Sequence, residues 1–202
     1  MVNNAKALDF WEIRSQHPYN PLHDAIHFEV SVKMLKARIT PETILEFGCG
    51  YGSLTSALRA AFPDAAIVAT DAYQIALANA AAYLSDKHVE LAIWDVVNYT
   101  ALDRYDLVIG QFVLQHIPPE HIHTALDNLT RASQRWFAHV DLGEGTVASH
   151  FPTYQWTHDY IELMRGSGFQ LRERTSIFHS KRNYAGGNVP PKQQQIFLWE
   201  RA

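Results

Sequence analysis

Three glycines at alternate positions, Gly48, Gly50 and Gly52, follow a short apolar run in the stretch ILEFGCGYGSL, and Glu46 stands two positions ahead of the first. A backbone without Cβ atoms can turn sharply and lets a ligand approach it closely. A helix starting at Ser53 would add a rim of free N–H groups beside that turn. Such a turn at the first strand of a parallel sheet suits the binding of a nucleotide-like ligand. The dinucleotide fingerprint G-x-G-x-x-G would need glycine at 48, 50 and 53, and position 53 is serine.

Other residue types with chemical potential are weaker. The single cysteine, Cys49, has no partner that would activate its thiol, and packing is its expected role. Eleven histidines raise the question of a metal. His121 and His123 are two apart on a predicted helix, so their side chains point about 200° apart. His23 and His27 have i, i+4 spacing, but no third ligand is evident near them. Neither H-E-x-x-H nor a paired-cysteine spacing occurs, so no metal is expected.

The elements that must position these residues alternate. Strand-type runs fall at Thr43–Glu46, Ala66–Thr70, Val89–Trp94, Asp106–Gln111 and Trp136–Asp141. Helical patterns follow the first, second, fourth and fifth: SLTSALRAAF, YQIALANAAAYL, PEHIHTALDNLTRAS and TYQWTHDYIELMRGSG. This order predicts a parallel sheet covered on both faces. FQLRERTSIFHS and QQQIFLWER then read as two strands joined by RNYAGGNVPPK, an antiparallel pair closing one edge. Two helices, roughly Ala5–Ser15 and Leu22–Ala37, precede the sheet with a break at HPYNP. The expected organisation is one domain over 1–202, with residues 1–40 as a helical cover and 41–202 as the core.

Composition narrows the function classes. The length of 202 residues suits a single core, and no apolar run approaches the roughly 20 residues of a membrane helix. The N-terminus lacks a signal-peptide core, and one cysteine excludes an internal disulfide, which together lead to a cytoplasmic expectation. A net charge of −4 argues against a broad nucleic-acid surface. The number of subunits is not encoded in any feature.

The stretch E-F-G-C-G-Y-G resembles motif I of the class I S-adenosylmethionine-dependent methyltransferases, (D/E)-x-G-x-G-x-G. Its companions are present in order. Asp71, in IVATDAY, ends the second strand 19 positions after Gly52, where the family's acidic residue binds the ribose hydroxyls. Asp95, in LAIWDVV, ends the third strand, where the family's carboxylate lies beside the adenine amino group, with Trp94 and Val96 as apolar neighbours of the ring. YDLVIGQFVLQHIPPE looks like the family's fourth strand leading to a proline-started helix, and the terminal strand pair matches its sixth and seventh strands. The resemblance covers about residues 40 to 202. It implies a Rossmann-like α/β fold: a doubly wound, seven-stranded sheet, mostly parallel with an antiparallel C-terminal pair. It also implies S-adenosylmethionine as cofactor and S-adenosylhomocysteine as product. Glu46 would lie near the methionine amino group, with further cofactor contacts from Ala72, Tyr73, Val96 and Gln111. Asp71 could also cap the following helix.

Ligands bind outside the carboxyl ends of parallel strands, so the acceptor should meet residues after strands four and five. The candidates are Gln111, Phe112 and His116, then Asp141, His150, Tyr154 and Trp156. His150 and His116 are the candidate bases, His116 being the better fit to a positioning role. Trp11, Tyr19 and His23 of the N-terminal segment could close over the methyl group, as could the GGNVPP loop. No N-P-P-Y or D-P-P-Y follows strand four, and no proline-cysteine pair occurs, so the chain resembles small-molecule O- or N-methyltransferases. The alternatives are a non-catalytic cofactor-binding partner or sensor and, less favoured, an aminopropyl transferase or a nicotinamide dehydrogenase.

Overall fold

The computed structural model describes residues 25–85, 88–98, 100, 103–142, 155–178 and 193–202. In chain order the elements are α1 (Ala25–Lys36), β1 (Thr43–Phe47), α2 (Ser53–Ala61), β2 (Ala66–Asp71), α3 (Gln74–Tyr83) and β3 (Glu90–Ile93). Then come β4 (Tyr105–Gln111), a 3₁₀ turn (Leu114–His116), α4 (Ile122–Ala132), β5 (Ser133–Leu142), the short α5 (Tyr160–Leu163), β6 (Phe169–Phe178) and β7 (Gln193–Arg201). The strands form one seven-stranded sheet in the order β3-β2-β1-β4-β5-β7-β6. The first five pair in parallel, and β7 inserts antiparallel between β5 and β6.

The strands are apolar on both sides because both sides are covered. Leu45, Phe47, Val108, Phe137, Phe197 and Trp199 point to one face, where Ile122, Leu126 and Leu129 of α4 pack. Ile44, Ile67, Leu107, Ile109, Ala138 and Leu198 point to the other, against Leu35 of α1 and Leu54 and Leu58 of α2. These sets interleave residue by residue along each strand, the period-two geometry of a doubly covered sheet. The buried apolar positions of α4, 122, 125, 126, 129 and 132, follow the i, i+3, i+4, i+7 stripe of a helix with one apolar face. Gly110 fits this packing for a local reason: a Cβ there would stand 2.3 Å from the ring of Phe47.

The sequence expectation of a full helix from Thr153 to Gly168 is corrected. Within its described part only Tyr160–Leu163 is helical. The Trp156 N–H is drawn away to the carbonyl of Gln115 at 2.8 Å, and Asp159 starts the helix by accepting from the Glu162 N–H. Gly166 and Gly168, both at positive φ, end it before β6. The apolar periodicity of this stretch reflects packing of Tyr160 and Met164 on the core, not helix length. The first expected helix, Ala5–Ser15, lies outside the described residues, and the second is present from Ala25 to Lys36.

Candidate functional site

The strand order reverses between β1 and β4, so their carboxyl ends open a crevice where ligands of this architecture bind. The glycine turn lies there. Gly48, Gly50 and Gly52 all have positive φ, at 66°, 54° and 84°, a conformation that side chains disfavour. Their surroundings differ. A Cβ on Gly48 would strike Val113 at 2.3 Å and one on Gly52 would strike Leu84 at 2.8 Å, whereas one on Gly50 would meet nothing within 4 Å. Gly48 and Gly52 are therefore fixed by protein packing, and Gly50 faces open space.

Asp71 holds this turn. Its Oδ2 accepts from the Gly50 N–H at 2.9 Å and its Oδ1 from the Tyr73 N–H at 3.0 Å. Tyr73, not Asp71, is the N-cap residue of α3. Burial raises the Asp71 carboxyl above the usual carboxylate range, offset in part by the N–H groups of Gly50, Tyr73 and Ala72. A carboxylate offers about four lone-pair positions, so with three N–H groups engaged about one remains for a ligand hydroxyl.

Glu46 is buried at the end of β1, and its Oε2 has no hydrogen-bond partner among the described residues. Burial pushes its carboxyl up to about 8; the hydroxyl of Thr55 offsets part of this, and the charge of Asp71 adds to it. Neither acid has a basic partner within ion-pairing distance among the described residues. Two buried carboxyls without a cation form a site suited to a cationic ligand group. Cys49 packs with Ala69, Leu77, Ala80 and Leu84, and burial raises its thiol, in keeping with the packing expectation.

Asp95 spends its carboxylate on a local turn, accepting from the N–H groups of Val97 and Asn98. Trp94 and Val96 on either side are buried in the core with Phe47 and Leu126. Gln111, at the end of β4, is buried; its Oε1 receives the Ser31 hydroxyl of α1 at 3.5 Å and its Nε2 has no partner. Phe112 then takes φ 60°, a strained value for a bulky residue, held by its N–H bond to the Val140 carbonyl at 2.7 Å. Its ring packs against Val140 and Ile196, where Val30 and Met34 of α1 also pack, so the described part of the N-terminal segment does cover this end of the sheet.

Beyond Phe112 lies a network that motif reading did not assemble. The Asp141 carboxylate, at the end of β5, accepts from the Gln115 N–H at 3.1 Å and from His139 Nδ1 at 3.0 Å. His139 Nε2 receives the indole N–H of Trp199 at 3.4 Å, so the ring proton sits on Nδ1. Phe197 stacks on the His139 ring, and Tyr160 meets it edge-on. Tyr160 is pushed upward by burial and then by the Asp141 charge. The Gln115 carbonyl anchors Trp156, and its side-chain amide donates to His116 Nε2 at 3.1 Å. His158 donates to the carbonyl of Ile117 at 3.0 Å, and burial lowers its basicity. The signal in the sequence was H-V-D in strand five, where His139 and Asp141, two apart, must share one face. His150, Tyr154, Trp11, Tyr19, His23 and the GGNVPP loop lie outside the described residues. His121 is the N-cap of α4, and no group of three potential metal ligands occurs among the described residues.

The fold is that of a doubly wound α/β protein with a crevice at the strand ends, and comparison with known proteins adds to this. Residues 45–134 match the family model described as a methyltransferase domain. The match runs from within β1 to the start of β5 and so takes in the glycine turn and Asp71. A malonyl-[acyl-carrier protein] O-methyltransferase of Priestia megaterium is 34% identical over 143 residues, 66% of this chain and 51% of that protein. One of the same description from Anoxybacillus flavithermus is 35% identical over 75 residues, 37% of this chain and 29% of that protein. The matches thus span about half of one curated relative's length and under a third of the other's. Among solved structures, the magnesium protoporphyrin IX methyltransferase of Synechocystis PCC 6803 with bound S-adenosylhomocysteine superimposes with TM-score 0.72 at 18% identity, covering 98% of this chain and 96% of that one. The N-methyltransferase NodS of Bradyrhizobium japonicum, also with S-adenosylhomocysteine, gives TM-score 0.73 at 14% identity, covering 88% and 87%. At these identities the structural likeness establishes the fold.

Proposed function

We propose that this chain transfers the methyl group of S-adenosylmethionine to an oxygen or nitrogen atom of a small-molecule acceptor. The observation that carries the reading is the junction of β1 and β2. There a positive-φ turn with open space at Gly50 is tied to Asp71, beside a buried Glu46 oxygen without a partner. These residues fit the cofactor on physical grounds. The space over Gly50 admits a close ligand, the remaining acceptor capacity of Asp71 suits a ribose hydroxyl, and Glu46 Oε2, without a partner among the described residues, suits the cationic α-amino group. Ala72 and Tyr73 follow Asp71 along the same rim, Asp95 and Val96 would stand on the adenine side, and Gln111 ends β4 at the same crevice.

When bound, the cofactor supplies a methyl group on a sulfonium leaving group, so the protein's share is alignment of the acceptor and exclusion of water. The segment after β4 is built for alignment. Asp141 fixes Gln115, Gln115 fixes Trp156 and holds His116, and strained Phe112 turns the chain out over the strand ends. With its Nε2 engaged by the Gln115 amide, His116 serves in positioning. His150 is the remaining candidate base, required only for an acceptor that carries a proton at neutral pH. The O-methyltransferase relatives weight the choice towards an acceptor oxygen.

The test is binding followed by turnover. Calorimetric titration should give saturable binding of S-adenosylmethionine and none of NAD, and release of S-adenosylhomocysteine should then identify carboxylates, phenols or amines as acceptors. Binding without product on any acceptor class would favour the cofactor-binding partner instead.

A further inference from the structure

At the opposite pole of the sheet, three arginines converge on one open cleft. Arg104 precedes β4, Arg131 is in the last turn of α4, and Arg201 ends β7; with Asp127, Thr130 and Ser167 they line a cleft of about 440 Å³. The seven residues of β4 separate this cleft from the glycine turn, a span of roughly 20 Å. The chain as a whole carries a net charge of −4, so the clustering runs against its general character.

Part of this arrangement is structural. Arg201 donates through Nη2 to the carbonyls of Thr130 and Ser133, and its guanidinium stacks over Phe169. Arg104 donates to the same Ser133 carbonyl at 3.3 Å. Those bonds satisfy the end of α4, and one guanidinium would suffice for them. They leave the Arg201 Nε buried without a partner and do not involve Arg131. They also bring two guanidiniums onto one oxygen; burial lowers the Arg201 guanidinium and the charge of Arg104 lowers it further. None of the three arginines forms an ion pair among the described residues, although the carboxylate of Asp127 lines the same cleft. Three cations and one anion leave two positive charges lining a space into which Ser167 can also donate its hydroxyl, whereas the Thr130 hydroxyl is spent on the Leu126 carbonyl.

We propose that this cleft is a second binding site, distinct from the methyl-transfer crevice, for a phosphate-type dianion, either the free ion or the head of a phosphomonoester. Guanidiniums bind such oxyanions through paired, charge-assisted hydrogen bonds, and two net charges match a dianion.

The probe is inorganic phosphate, titrated calorimetrically into the whole chain against sodium chloride of equal ionic strength, with glycerol phosphate as a second arm. One saturable site is expected, weakened roughly tenfold or more in Arg131→Gln and again in Arg104→Gln, about the worth of one charge-assisted hydrogen bond each. Binding of S-adenosylhomocysteine should be unchanged in both. Tighter binding of glycerol phosphate would assign a phosphomonoester, and equal binding the free ion. Among the described residues the Arg131 side chain makes no hydrogen bond or ion pair, and a retained thermal transition in Arg131→Gln establishes that the variant is folded. No saturable heat beyond chloride, or phosphate binding that survives both substitutions, would overturn the proposal.

Discussion

The two halves of the crevice are built from different materials. The half at β1 and β2 is made from backbone: three positive-φ glycines within five residues, pinned by one carboxylate, with few side chains involved. The half at β4 and β5 is made from side chains brought together across the chain. His139, Asp141, Gln115, Trp199 and Tyr160 interlock in a buried polar and aromatic cluster. A backbone cradle suits the invariant parts of a nucleoside-like cofactor, since every residue carries the same N–H and C=O. A side-chain network can be rebuilt for a different acceptor without disturbing that cradle.

Substitutions should separate the halves. The largest effect is expected for Gly50→Val, whose side chain enters the space over the turn at φ 54°. Cofactor binding should fall by at least about 100-fold while a cooperative thermal transition survives at a lower midpoint, since no protein atom is struck but the positive φ costs a β-branched residue about 1–3 kcal/mol. Calorimetry and a melting curve check both parts, and normal binding would break the cradle account. Asp71→Ala comes next. Loss of its bonds to Gly50 and Tyr73, and of the ribose acceptor, should weaken the cofactor about 30- to 100-fold.

Asp141→Ala should show the reverse profile. Uncapping the Gln115 N–H and His139 in a buried site should destabilise the fold by about 2–3 kcal/mol, with cofactor affinity changed less than about threefold. Denaturant unfolding with parallel titration measures the contrast, and a loss of cofactor binding matching that of Asp71→Ala would merge the two halves.

The smallest expected effect concerns Glu46. Burial pushes its carboxyl up to about 8 in the folded protein, against 4.5 for an ordinary glutamate. Between those values the folded state binds the extra proton, so stability falls as pH rises from about 5 to 8. Glu46→Gln should flatten that dependence and be more stable than the parent at pH 8 by about 1 kcal/mol or more, yet bind the cofactor more weakly. Because the cationic amino group favours the ionised carboxyl, affinity in the parent should rise with pH up to about 8, with proton release on binding. Titrations in buffers of different ionisation enthalpy read that proton.

The contrast between the halves also explains what could be read in the sequence. The strands, the turn and the acid ending β2 were legible because their signals are local: alternating apolar runs, glycines at fixed offsets, an acid at a strand end. Even Asp71's bond to Gly50 joins consecutive motifs of one strand-helix-strand unit. The acceptor half was legible only as a list of candidates. His139 binds Trp199 and Asp141 binds Gln115, partners separated by 60 and 26 positions, and no spacing rule predicts which side chains the sheet will bring together. The overextended helix before β6 failed for the same reason, because a distant carbonyl, that of Gln115, claims the Trp156 N–H.

The central claim is that the turn at Gly48–Gly52 and Asp71 forms a nucleoside cradle. Its most direct test is calorimetric titration of the purified chain with S-adenosylhomocysteine at neutral pH, in phosphate-free buffer. The account predicts one saturable site in the micromolar range, lost in Gly50→Val. No binding by a chain with an intact thermal transition would contradict it.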